Sequence, residues 1–149
     1  MTVIKEAKIK ISSVIENLDA SGLVEGDAEK NESLYDGYFK YSDGECVVTY
    51  SESGESGEVT SEIRYADESA VVKRCGAIES ELHFKVGVPH VSKYSVPPYT
   101  FDATVTTRKI RAEINERGGR IELYYNMKIG GADKAARMKI WILANSSQS

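Results

Sequence analysis

Four polar side chains in the middle of the chain have the chemistry of a binding site: Arg74, His90, Ser92 and Tyr94. An arginine offers a planar fork of donors that pairs with a carboxylate or a phosphate. The imidazole and the two hydroxyls can each donate or accept a hydrogen bond. His90, Ser92 and Tyr94 alternate, so a strand through "VPHVSKYS" aims all three at one face. Whether Arg74 joins them depends on the strands in between.

Those strands can be counted through by parity. Tight pairing about Asp67-Glu68 in "SEIRYADESAVVKRC" sets Tyr65 on Ala70, Ile63 on Val72 and Ser61 on Arg74. Arg74 then shares the face of Ile63 and Val72. Crossing the Cys75-Gly76-Ala77 turn carries that face through Ile78, Ser80, Leu82 and Phe84. Crossing Gly87 to Pro89 carries it to His90, Ser92 and Tyr94. One inner region is therefore expected to hold all four polar residues among apolar neighbours. A buried arginine needs a partner, because an unpaired buried charge is costly. The partner can be a carboxylate, backbone carbonyls or an anionic ligand. Arginine and tyrosine converging in an apolar cavity is a common form of small-molecule site. An internal polar network that fixes strand register is the competing reading, and the more frequent arrangement.

Other groups point to less. Parity places His83 among Glu79, Glu81 and Lys85, where it should be solvated. Two histidines, with Cys46 and Cys75 lacking any CxxC partner, do not make a metal site, and no cofactor is expected. The cysteines read as free thiols. "SGESGE" (53–58) has neither the lysine nor the helix of a phosphate loop and reads as a flexible turn. His90 could serve as a general base only beside a second catalytic group, and no catalytic constellation assembles. The chain reads as a binding or interaction protein rather than an enzyme.

The elements that must position these residues are strands. Turn signals recur about every 8 to 15 residues, with alternating segments between them, the pattern of an antiparallel all-β domain. In "LYDGYFKYSDGECVVTYS" a two-residue turn at Asp43-Gly44 pairs Tyr41 with Cys46, Phe39 with Val48 and Gly37 with Tyr50. In the last hairpin, with Gly130-Gly131 in its turn, Ile129 is set on Lys134, Tyr125 on Met138 and Leu123 on Ile140. Its reverse face carries Tyr124, opposite Lys139, and Trp141. These two outward aromatics are candidates for a homodimer interface. In "TFDATVTTRKIRAEI" the apolar face changes from odd to even positions, which demands a β-bulge between Thr106 and Lys109. The loop after it, Arg117-Gly118-Gly119, sets Ile114 on Ile121 and Ile110 on Tyr125. The acidic stretch 16–33 reads as a long loop with at most one helical turn, and 144–149 as a disordered tail.

The resulting nine or ten strands, sequential neighbours throughout, form a meander. Such a meander avoids exposed edges by closing into an up-and-down barrel of about 8–10 strands, in a single domain over 1–149; a two-sheet sandwich is the runner-up. The net charge of −4 argues against a nucleic-acid partner. The run Arg108, Lys109, Arg111 is short, and strand alternation should split it between faces. No run approaches the ~18 apolar residues of a membrane span, and no leader is evident, so a cytoplasmic protein is expected.

A resemblance adds to this. "RCGAIESELHFKVGVPHVSKY", then "TFDATVTTRKIRAEI" and "GGRIELYYNMKIGG", resemble the YwiB-like family of uncharacterised bacterial proteins, from about Leu34 to Ile142. The matching marks are Arg74 with Gly76, Phe84, His90 with Tyr94, Thr107 before a basic pair, and the Gly-Gly turn. Where the family reads Thr-Pro-Tyr-Gly, this chain reads Val96-Pro97-Pro98-Tyr99. The resemblance implies a calycin-type, lipocalin-like barrel in a bacterial cytosol. It implies no activity.

Overall fold

The computed structural model describes residues 3–54 and 57–145. Ten strands follow one another: β1 (Val3–Leu18), β2 (Val24–Ser42), β3 (Glu45–Gly54), β4 (Gly57–Ala66), β5 (Ser69–Gly76), β6 (Glu79–Lys85), β7 (His90–Val96), β8 (Tyr99–Asn115), β9 (Gly118–Ile129) and β10 (Ala132–Ala144). Each pairs antiparallel with its neighbours, and β1 closes on β10. The architecture is an all-β, closed, ten-stranded up-and-down barrel.

The core follows from alternation. Phe39, Val48, Ile63, Val72 and Leu82 lie directly opposite one another across β2 to β6. All are at most 8% exposed, as are Phe84, Val105, Leu123 and Ile140 from the remaining wall. Burying a side chain of this size contributes about 1.5–3 kcal/mol, so this layer carries much of the stability. Cys46 sits in it as a small apolar residue, and burial pushes its thiol up to about 11.

The β2–β3 and β4–β5 registers are those expected, including Ser61 opposite Arg74. The bulge falls between Thr107 and Lys109, and it switches the inward set from Ala103, Val105 and Thr107 to Ile110, Ala112 and Ile114. Three expectations need correcting. Residues 16–33 are not a loop: β1 runs through Leu18 and β2 begins at Val24. Asp19 nucleates the short turn by accepting hydrogen bonds from the backbone N–H groups of Ser21 and Leu23. The stretch looked like a loop because β2 is exposed on both faces over most of residues 24–34, so it carries no apolar alternation. The β9–β10 register is shifted by two: Ala132 pairs with Ile129, Ala136 with Tyr125 and Ile140 with Ile121. Gly130 and Gly131 both have positive φ, which permits a two-residue turn where a four-residue one was assumed. The β8–β9 register moves by two as well, Ala112 facing Ile121, because Gly118 and Gly119 belong to β9. A shift of two keeps every side chain on its face, so the inside–outside assignment survives.

Ala144 ends β10, and the Asn145 N–H donates to the Glu6 carbonyl, so the tail does not begin at 144. The rest of that tail, 146–149, lies outside the described residues, as do positions 55 and 56 of the 53–58 turn.

Candidate binding site

A meander puts alternate turns at opposite ends. The turns after β1, β5, β7 and β9 share one end, here the Pro97 end; those after β2, β4, β6 and β8 share the other, the Asp67 end. One inward row at the Pro97 end runs Tyr50, Ser61, Arg74, Ser80, Tyr94, Phe101 across β3 to β8, each residue directly opposite the next. Residues so paired have Cβ atoms about 5 Å apart. Gly37 opens the row on β2. A Cβ there would lie 2.1 Å from the Thr49 carbonyl oxygen and 2.8 Å from Ile9 Cδ1, so no larger residue fits.

Arg74 sits half-buried in the middle of this row. Among the described residues it has neither an ion pair nor a side-chain hydrogen bond. Its charge reaches three phenols. Burial raises Tyr35, Tyr50 and Tyr125, the last to about 12, and Arg74 opposes the rise in each. Tyr94 is close enough to Tyr125 to raise it further. Tyr35 stacks on Tyr50 at 4.4 Å between centroids and donates a 2.7 Å hydrogen bond to Glu52. Glu52, a carboxylate beside this row, is thus engaged by a phenol and makes no ion pair with Arg74.

The facing wall is mainly aliphatic, with the half-buried Lys134 opposite Met127. Ile11 and Ile15 on β1 and Met127 and Ile129 on β9 pack against the core yet stay partly exposed. Below them the Phe39–Leu82 layer is closed. At the Pro97 end an aliphatic wall thus faces a polar aromatic wall, with Arg74 set into the latter. Ser92 Oγ and Thr107 Oγ1 are buried without a hydrogen-bond partner among the described residues.

The expected site residues separate. Arg74 and Tyr94 share the row, with Ser80 of β6 between them. Ser92 lies deeper, opposite Ala103. His90 leaves the group. The β6–β7 ladder holds only two pairs, Glu79 with Ser95 and Ser80 with Tyr94; beyond it the strands part, and Val86 bridges instead to Thr107. The His90 ring turns into that seam and stacks on His83 at 4.1 Å. Its Nδ1 is buried without a partner among the described residues. His83 is accordingly half-buried, not solvated, and its Nε2 lies 2.8 Å from Glu81, whose carboxyl that bond lowers. Parity reasoning missed Tyr35, Tyr50, Glu52 and Tyr125 as site residues. Alternation with Val48 and with Leu123 is the signal that places Tyr50 and Tyr125 on the inward face.

The barrel's other mouth holds a depression of about 540 Å³ bounded by Tyr65, Glu68, Lys85, Ile110 and Glu113. Carboxylates and cations both line it, and the packed core separates it from Arg74.

Residues 9–142 match the family model described as a domain of unknown function, DUF1934. The chain belongs to the DUF1934 family. It is 24% identical over 122 residues to the uncharacterized β-barrel protein YwiB of Bacillus subtilis (strain 168), covering 82% of this chain and 81% of that one. Its fold is similar to the crystal structure of the ywiB protein from Bacillus subtilis, with a TM-score of 0.83, 22% identity, and 96% and 94% of the two chains covered. The two chains thus share a fold over nearly their whole length.

Tyr124 and Trp141 do face outward from this DUF1934 barrel, but neither is a bare aromatic. Lys109, not Lys139, lies over Tyr124 at 5.8 Å, and Lys10 lies over Trp141 at 5.1 Å. Between them Glu122, 5% exposed, is covered by long cationic side chains rather than by the core. Lys139 Nζ, Arg120 Nε and Arg111 Nε lie 3.5, 3.7 and 4.0 Å from it, and the Tyr124 hydroxyl donates at 3.2 Å. Burial raises the Glu122 carboxyl, but Tyr124, Arg120 and Lys139 outweigh that and hold it below its ordinary value. A depressed folded value gives stability that is present above the unfolded value near 4.5 and is lost as pH falls through the folded one. Glu122→Gln should therefore cost about 2 kcal/mol at pH 7 by urea denaturation, and the gap to wild type should shrink by pH 3. An equal gap at both pH values would refute this account of Glu122.

Proposed function

We propose that this protein is a non-enzymatic binding barrel whose Pro97 end takes a small amphiphilic anion, such as a medium-chain carboxylate. One observation carries the reading: Arg74 sits half-buried in an inward row across from aliphatic side chains, with no ion pair among the described residues. Leaving a half-buried cation unpaired costs stability, and the fork of the guanidinium suits a carboxylate or phosphate. Tyr35, Tyr50 and Tyr94 supply hydroxyls around the head group, and Ile11, Ile15, Met127 and Ile129 receive the apolar part. His90 lies off this site and Ser92 below it, so neither is assigned to the head group.

Native mass spectrometry and thermal-shift measurements on the purified protein test the reading. A panel of linear carboxylates and phosphate monoesters of graded chain length should raise the melting temperature, with an optimum length, while the corresponding alcohols do much less. A melting temperature unmoved by the whole panel, with no retained ligand, would sink it.

A further inference from the structure

We propose that the outer face of β1, β8, β9 and β10 binds single-stranded nucleic acid. The bulge at Arg108 creates this face. Without the extra residue, Lys109 and Arg111 would continue the inward set of Val105 and Thr107; with it, both point outward. The registers then align three outward rows: Lys109, Tyr124, Arg137; Arg111, Glu122, Lys139; and Glu113, Arg120, Trp141, Lys10. Six cations thus meet two carboxylates and two aromatic rings in one continuous patch, on a chain whose net charge is −4. Glu122 is already enclosed by three of those cations. Lys109 and Arg137 have no ion pair among the described residues, whereas Lys10 contacts Glu32 at 3.4 Å on the patch border.

The chemistry selects the occupant. Within each row the cations stand two strands apart, about 10 Å, with Tyr124, Glu122 or Trp141 between them, and along β8 and β10 successive cations stand roughly 6.7 Å apart, a lattice that can track a phosphate backbone. An acidic protein would use the charges but has no need of the rings. Single strands use both, because exposed bases stack on aromatic faces while the backbone follows the cations. Lys10 and Lys109 cap the rings now; a stacked base would take that place and free each ammonium for a phosphate. A convex barrel wall also lacks the projecting helix or ribbon that enters a duplex groove. The acidic β2 segment of a second copy, with Glu25, Asp27 and Glu29, would complement the charge. That contact is heterologous and would build open chains rather than a closed dimer.

Fluorescence anisotropy of a labelled twelve-residue oligothymidylate or oligouridylate, titrated with the full-length protein in 50 mM salt, tests the proposal. Micromolar binding is expected, with log K falling against log salt at a slope of about −3, as for four or five neutralised phosphates. Lys109→Glu with Arg137→Glu should weaken binding at least tenfold and flatten the slope by about 1.4. Trp141→Leu should weaken it about tenfold and leave the slope unchanged. Melting temperatures of both variants near wild type show that the barrel is intact. No binding at 50 mM salt, polyglutamate binding as tightly as the oligonucleotide, salt-sensitive self-association in its place, or folded variants that bind like wild type would each overturn the proposal.

Discussion

Gly119→Ala is expected to cost about 4 kcal/mol and to lower the melting temperature by roughly 10 °C, although it adds a single methyl group. Gly119 has φ of +146°, where a side chain is strained, and its Cβ would lie 1.9 Å from the Glu113 carbonyl oxygen and 3.0 Å from Ile114 Cα. Those atoms are backbone, not the tip of a flexible side chain. They cannot retreat, because Gly119 pairs with Ile114 on one side and Ile142 on the other. Relief requires opening the β8–β9 ladder at the point where it joins β10. Chemical denaturation measures the cost directly, and a loss below 1 kcal/mol would mean that the strands approach less closely than described.

Arg74→Met is expected to act in opposite directions on stability and binding. Without ligand the variant should be about 1 kcal/mol more stable than wild type, because methionine fills the position without an uncompensated charge. Its affinity for an anionic amphiphile should fall about a hundredfold, the loss of a charge-assisted, two-pronged contact. Residues kept for binding at the expense of stability behave in this way. If Arg74 instead served a polar network that fixes strand register, the same substitution would destabilise the apo protein by 1 kcal/mol or more.

The separation between what could and could not be read from sequence has physical causes. The inward aim of Arg74 was legible because parity across tight turns is a binary property, and errors of two residues leave it untouched. The β9–β10 hairpin shows this: its register was off by two, yet Ile121, Leu123 and Ile140 still face inward as expected. Residues 16–33 were misread because alternation reports a sheet with one buried face, and β2 there has none. His90 keeps its register opposite Val105, but its ring stacks on His83 where the β6–β7 ladder has stopped after two pairs. No local pattern encodes where two strands cease to touch. The outer basic face was hidden for a similar reason. Its cations come from four strands, and the local run Arg108, Lys109, Arg111 looked divided between faces until the bulge set Lys109 and Arg111 on one.

The central claim is that Arg74 receives the charged head of a ligand at the Pro97 end. The side-chain Nε–Hε resonance of Arg74, assigned through Arg74→Met and followed by NMR during titration with decanoate and with decanol, tests it most directly. The account predicts a saturable shift and slowed solvent exchange of that resonance with decanoate, and little response to decanol. An unmoved Arg74 resonance in the presence of bound decanoate, or equal responses to acid and alcohol, would contradict it.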